Sequence, residues 1–174
     1  MWRSLLLPAL AMLVIVAASN VLVQYPINDW LTWGAITYPV SFLVTDLTNR
    51  LQGPGRARQV VVLGFVLAVI LSAWLATPRI ALASGTAFLV GQLLDIAVFQ
   101  KLRQGSWWRA PLVSSSLGSA IDTAIFFGLA FAGTGLPWHT WALGDLAVKL
   151  VLALVFLAPF RAVLALAMPV PARS

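Results

Sequence analysis

Six long apolar stretches, at 5–24, 34–51, 60–77, 81–99, 111–131 and 142–164, constrain this chain more than any other feature. A helix needs about 20 mostly apolar residues to cross the hydrocarbon of a bilayer, and most of these runs approach that length. None shows the strict polar alternation of a barrel strand. Pro or Gly stands in almost every connection: Pro26, Gly53-Pro54-Gly55, Pro78, Gly105, and Gly133 through Pro137. Composition agrees, with 61% hydrophobic and 9% charged residues, where an ordinary soluble domain is about 25% charged. Divided among six spans, 174 residues leave about 29 for each helix and its connection, so a second folded domain has no room. The sequence predicts an all-α integral membrane protein with a single six-helix domain over 1–174.

The net charge of +6 could suggest nucleic acid. Its placement says otherwise. With the N-terminus inside, the cytoplasmic side carries Arg3, Arg50, Arg56, Arg58, Lys101, Arg103, Arg109, Arg161 and Arg173, against Arg79 outside. That bias puts both termini in the cytoplasm and sets the basic residues against anionic headgroups, leaving no nucleic-acid partner. Met1-Trp2-Arg3, the apolar run after it and Ala17-Ala18-Ser19 imitate a secretory signal; the stretch is read here as the first span. With no Cys there is no thiolate metal site, and the single His139 cannot build one alone.

Three helices followed by three of opposite orientation permit a 3+3 inverted repeat. Thr45-Asp46 in the second helix and Asp122-Thr123 in the fifth fit such a relation. More telling are the charges inside the spans. Asp29 falls in an external loop, but Asp46, Asp95, Asp122, Asp145 and Lys149 fall within helices. Each costs about 2.5–3.5 kcal/mol at a helix centre facing lipid, so they must face one another or a wet cavity. Asp145 and Lys149 are four apart with the acid first, the favourable order on one helix face, and Asp46 and Arg50 share that spacing. Asp122 has no basic partner on its own helix; its expected partners are Lys149 and a ligand.

The face of helix five through Pro111, Ser115, Gly118 and Asp122 runs small, polar and acidic. Ser114–Gly118 and Ser115–Ser119 are small-xxx-small pairs that let helices approach closely. Gln92 and Asp95, three apart, set a carboxylate beside an amide, a donor and acceptor set suited to a nitrogen heterocycle. Asn20 is the strongly polar residue of helix one, suited equally to helix packing or to a ligand. Tyr38 precedes Pro39 inside helix two, where a proline frees backbone groups that can line a cavity.

These motifs resemble the queuosine precursor transporter family (vitamin uptake transporter-like). The resemblance is carried by Ala18-Ser19-Asn20 through Gln24, Thr32-Trp33-Gly34 through Tyr38-Pro39, and Phe42 through Thr48. It continues in Gly91-Gln92-Leu93-Leu94-Asp95 with Val98-Phe99, Ser116 through Thr123 with Phe126-Phe127, and Asp145 and Lys149 with Phe156 through Pro159. It implies a six-helix bacterial inner-membrane carrier, without cofactor, taking up 7-cyano-7-deazaguanine and 7-aminomethyl-7-deazaguanine for tRNA modification. On that implication Asp122 or Asp95 accepts from the base, Asn20 or Gln92 donates to its carbonyl, Tyr38 or Phe42 stacks on it, and Ser115 lines the same face. Asp46, Arg50, Asp145 and Lys149 then serve charge pairing or coupling. The chain is shorter than many relatives, chiefly between helices three and four.

Two other classes compete. A substrate-capture subunit of an energy-coupling-factor importer has the same helix number, but its Ala-xxx-Ala groove is missing: Ala9 faces Leu13, Ala11 faces Ile15 and Leu13 faces Ala17. An intramembrane enzyme would need a Cys nucleophile, a His pair or a Ser–His arrangement, and the sequence supplies none. The coupling ion stays open between a proton and none at all, and the sequence permits a homodimer without requiring one.

Overall fold

The computed structural model describes residues 3–75 and 77–167. Met1, Trp2 and Arg173, which entered the N-terminal pattern and the charge count, lie outside them. The described residues form eight helices: α1 (Arg3–Leu22), α2 (Trp33–Thr37), α3 (Val40–Gln52), α4 (Pro54–Leu75), α5 (Pro78–Leu102), α6 (Arg109–Phe131), α7 (Trp138–Val155) and α8 (Leu157–Ala167). Four stretches are long and apolar enough to cross a membrane: Leu5–Leu22, Pro78–Leu102, Arg109–Phe131 and Trp138–Ala167. The last runs through α7 and α8.

The expected helix over 34–51 is broken in two, and proline is the reason. Pro39 has no N–H to continue the ladder. The chain passes the gap with tighter bonds, Ser41 N–H to the Tyr38 carbonyl at 2.9 Å and Phe42 N–H to the Pro39 carbonyl at 3.1 Å. The stretch 142–164 is likewise split at Phe156, three residues before Pro159, whose ring crowds the carbonyl four residues back. Pro78, by contrast, falls where a proline costs nothing. Pro78 opens α5 behind Thr77, whose hydroxyl accepts from Ile80 N–H at 3.3 Å. Gly53, at φ 88°, is the only residue between α3 and α4, a turn that a side chain would resist.

The distribution of polarity is inverted relative to a soluble protein. Trp74, Leu166 and Leu7 are 88%, 85% and 77% exposed, while Asp46, Asp95, Asp122 and Lys149 are buried. An apolar exterior of this extent needs lipid around it. Basic side chains fasten the helix ends. Arg50 donates to the Arg103 carbonyl at 3.1 Å, and Arg103 donates to the Arg50 carbonyl at 2.9 Å and to that of Asn49 at 3.3 Å. At the opposite end Arg79 reaches the carbonyls of Leu129 and Ala132, at 2.8 and 2.6 Å. A guanidinium at a helix C-terminus satisfies orphan carbonyls and meets the negative end of the dipole.

The most extensive helix pair is α5 with α6. A Cβ at Gly91 would lie 2.9 Å from Asp122 Cβ and 3.2 Å from the Gly118 carbonyl; one at Gly118 would lie 3.0 Å from the Gly91 carbonyl and 2.8 Å from the Phe42 ring. The two glycines therefore let the backbones touch. Gly64 of α4 makes room for the Met12 side chain of α1, on which a Cβ would fall. Overpacking of this kind costs about 1–3 kcal/mol, so Gly91→Ala and Gly118→Ala should each lower the thermal unfolding temperature of the purified protein in detergent. Gly128→Ala, with nothing within 4 Å of its Cβ, should leave it unchanged or slightly raised.

Candidate functional site

The break at Pro39 sets Tyr38 at the head of α3, facing α6 and α7. Its hydroxyl donates to Asp122 Oδ1 at 2.7 Å. The other oxygen, Oδ2, meets Lys149 Nζ at 2.8 Å, and Lys149 also meets Asp145 Oδ2 at 2.6 Å. Thr123 ties the set together, donating to Asp145 Oδ2 at 2.7 Å, with its oxygen 3.0 Å from Lys149 Nζ. The ammonium also stands 5.0 Å from the centre of the Tyr38 ring, within the range of a cation–π contact. These are the two ion pairs among the described residues, and both belong to Lys149. Two carboxylates against one ammonium leave the cluster one negative charge in excess when all three are ionised.

This cluster lies between two recesses. The first, between α1, α2, α5, α6 and α7, is lined by Asn20, Tyr38, Ser84, Asp122, Phe126 and Lys149, among others. The second is lined by Phe42, Asp46, Ser115, Ser119, Lys149 and Phe156, among others. Lys149 borders both. The first recess is nearer the Pro26–Leu31 loop and the second nearer the arginine-rich helix ends, so they are called here the loop-side and basic-side recesses. Asn20 is held in the loop-side recess by Ser84, which donates to Asn20 Oδ1 at 2.6 Å.

The sequence candidates are thus divided. Asp122, Asn20 and Tyr38 share the loop-side recess, with Asp145 and Lys149. Phe42 and Ser115 lie on the basic-side recess with Asp46. Gln92 and Asp95 border neither; they are buried where α5 meets α3 and α6. Gln92 accepts from Thr45 at 2.5 Å and donates to Ser41 at 2.9 Å. Its amide therefore braces α3 instead of standing beside Asp95 as a shared ligand edge.

The expected Asp46–Arg50 ion pair is corrected. Asp46 points to α6, accepting from Ser115 at 2.8 Å and from Ser114 at 3.3 Å, while Arg50 turns to the Arg103 carbonyl. The end of a helix offers a guanidinium unpaired carbonyls, and these compete with the carboxylate one turn back. Sequence reasoning did not single out Ser84 or Phe126 for the site. Ser84 falls on the α5 face that continues through Phe88 to Gly91 and Asp95, and Phe126 is one turn beyond Asp122, so helical spacing from those residues points to both.

The family model described as "Putative vitamin uptake transporter" matches residues 32–77 and 72–164. The chain belongs to this family. It is 34% identical to the queuosine precursor transporter of Escherichia coli (strain K12), over 94% of this chain and 87% of that protein. It is 35% identical to a probable queuosine precursor transporter of Haemophilus influenzae, over 83% of this chain and 79% of the relative. A probable queuosine precursor transporter of Bacillus subtilis (strain 168) is 29% identical over 63% of this chain and 60% of its own length. No solved structure matches. With its apolar helices, membership in this family makes the chain a multi-pass bacterial membrane protein.

Removing one partner of a buried ion pair leaves an uncompensated charge and costs about 3–5 kcal/mol. Lys149→Met should therefore lower the unfolding temperature sharply by leaving Asp122 and Asp145 unpaired. Adding Asp122→Asn and Asp145→Asn to Lys149→Met should restore much of the loss. Equal unfolding temperatures for the single and triple variants would contradict the clasp.

Proposed function

We propose that this chain is a six-span inner-membrane carrier that imports 7-deazaguanine bases for tRNA modification. The substrates are 7-cyano-7-deazaguanine, its 7-aminomethyl counterpart, or both. One observation supports the reading most. Asp122 is a buried carboxylate at a recess whose two oxygens are held by a phenol O–H and an ammonium. A guanine-like edge offers a ring N–H and an exocyclic N–H side by side, donors able to take those two positions. Asn20 and Ser84 stand on the same recess for the ring carbonyl, and Phe126 offers an aromatic surface. The names of the relatives support the substrate class, and the geometry around Asp122 supports holding such a base there.

The excess carboxylate beside Lys149 also suits the aminomethyl form, whose cation can share Asp145 with Lys149. Hydrogen-bonded recognition of this kind rejects bases that lack the matching donors more sharply than an apolar slot can. A further space, lined by Gln24, Phe127, Phe131 and Trp141, shares Val23 with the loop-side recess and gives the base an approach. Trp141 brings to it a buried indole N–H without a partner.

In this reading α2 with α3, and α4, complete six crossings, and the arginine-rich helix ends and both termini face the cytoplasm. The two recesses then open toward opposite sides, with the Asp122–Lys149–Tyr38 layer between them. A relation between α3 and α6 fits a 3+3 repeat: Asp122 of α6 takes a hydroxyl from Tyr38 beside α3, and Asp46 of α3 takes hydroxyls from α6.

The test uses cells unable to make queuosine precursors, fed nanomolar base, with queuosine in tRNA as the readout. Expression of this chain should restore the modification, and Asp122→Asn at equal membrane abundance should abolish most of it. Failure of the well-expressed intact chain with either base would refute the assignment.

A further inference from the structure

The Lys149 clasp does not account for the other buried acids. Asp95 is fully buried, and neither of its carboxyl oxygens accepts a hydrogen bond. It lies against Asp46, also buried, in a side-chain interaction that includes Ser114 and Ser115. Both serines give their protons to Asp46. Among the described residues no positive charge reaches the pair. Lys149 borders the same recess as Asp46 but is bound to Asp122 and Asp145, and Arg50 is bound to the Arg103 carbonyl. Around the pair, α3 contributes Thr45 and Asn49, committed to Gln92 and to Gln100 and the Ile96 carbonyl. No other charged side chain of α5 or α6 joins it.

Two ionised carboxylates side by side in a buried site repel, and an ionised carboxylate without a donor is among the most expensive groups a protein interior can hold. One proton resolves both problems. Held between Asp95 and Asp46, it removes a charge and gives the orphaned Asp95 carboxyl a hydrogen-bond partner. The serine hydroxyls already complete the Asp46 side. A sodium ion would instead need several oxygen ligands turned toward it, and the hydroxyls here are turned toward Asp46 as donors.

The pair is also placed to communicate with the base recess. A Cβ on Gly118 would lie 3.3 Å from Asp95 Cβ, and one on Gly91 would lie 2.9 Å from Asp122 Cβ. Asp95 and Asp122 thus flank a single backbone contact between α5 and α6. We propose that Asp46 and Asp95 form a proton-binding carboxyl pair, and that its loading and unloading couples inward proton movement to uptake of the base. The balance is one proton bound by the Asp46–Asp95 pair from the outer solution and released to the cytoplasm per cycle, with no bond in the base changed. The coupling rests on the carrier reading above; the proton site itself does not.

Infrared spectroscopy of the full chain in lipid tests the site without any substrate. A carbonyl band of a protonated carboxylic acid is expected at neutral pH, lost on alkaline titration, removed by Asp95→Asn and retained in Asp122→Asn. A wild-type spectrum without that band, or a band untouched by both Asp95→Asn and Asp46→Asn, overturns the proposal. Because the wild-type titration is read directly, a variant that fails to fold does not decide the result.

Coupling is read in proteoliposomes with labelled 7-cyano-7-deazaguanine, which is neutral, at clamped potential. One proton per base should accumulate it inside about tenfold per pH unit of gradient, acid outside. That gradient effect should vanish in Asp95→Asn. Accumulation that follows a sodium gradient and ignores pH refutes proton coupling. Base-for-base exchange by the wild type checks the carrier reading separately: its absence, with the infrared band present, removes the base and leaves the proton site standing.

Discussion

A single ammonium in the apolar interior organises this protein. Lys149 is held by carboxylates from its own helix and from α6, under the ring of a tyrosine whose hydroxyl closes the remaining oxygen of Asp122. None of these groups is tolerable alone in a membrane, where each would cost several kcal/mol. Together they require α2, α3, α6 and α7 to meet at one height. Much of the other architecture serves that meeting: the break at Pro39 that delivers Tyr38, and the glycine at 91 that makes room for Asp122.

The polar interior has two tiers of different character. Around Lys149 every charged group is matched by a donor or an opposite charge. Below it, Asp46 is served by serines while Asp95 is not served at all. The layer between the recesses is therefore closed by bonds that a ligand with parallel N–H donors can exchange, and not by apolar packing alone. Exchange of like hydrogen bonds costs little free energy compared with opening a packed hydrophobic seal, because the buried acceptor is never left bare.

Much of this was legible in the sequence, and the unreadable parts have physical causes. The apolar runs gave the helices because a lipid-facing surface needs no alternation to mark it. The four-residue separation of Asp145 and Lys149 put them on one face, and the lack of a basic residue one turn from Asp122 pointed across to Lys149. Spacing misled at Asp46 and Arg50, since local proximity says nothing of a neighbouring helix that offers serines or of a helix end that offers carbonyls. The same limit applies to Gln92, which faces α3 through Thr45 and Ser41. That Tyr38 would reach Asp122 required the bend at Pro39, and a proline signals a break without giving its direction.

The contact between Gly91 and Gly118 has a mechanical meaning. Backbones pressed together without side chains between them have no layer of rotatable groups in which to slide, so α5 and α6 form one stiff pair. The joints lie elsewhere, in the two paths interrupted by proline, α2 with α3 and α7 with α8. Each interruption falls beside a residue that borders a recess, Tyr38 in one and Phe156 in the other. A movement that shuts one recess while freeing the other thus has a fixed half to work against and two built-in elbows to bend.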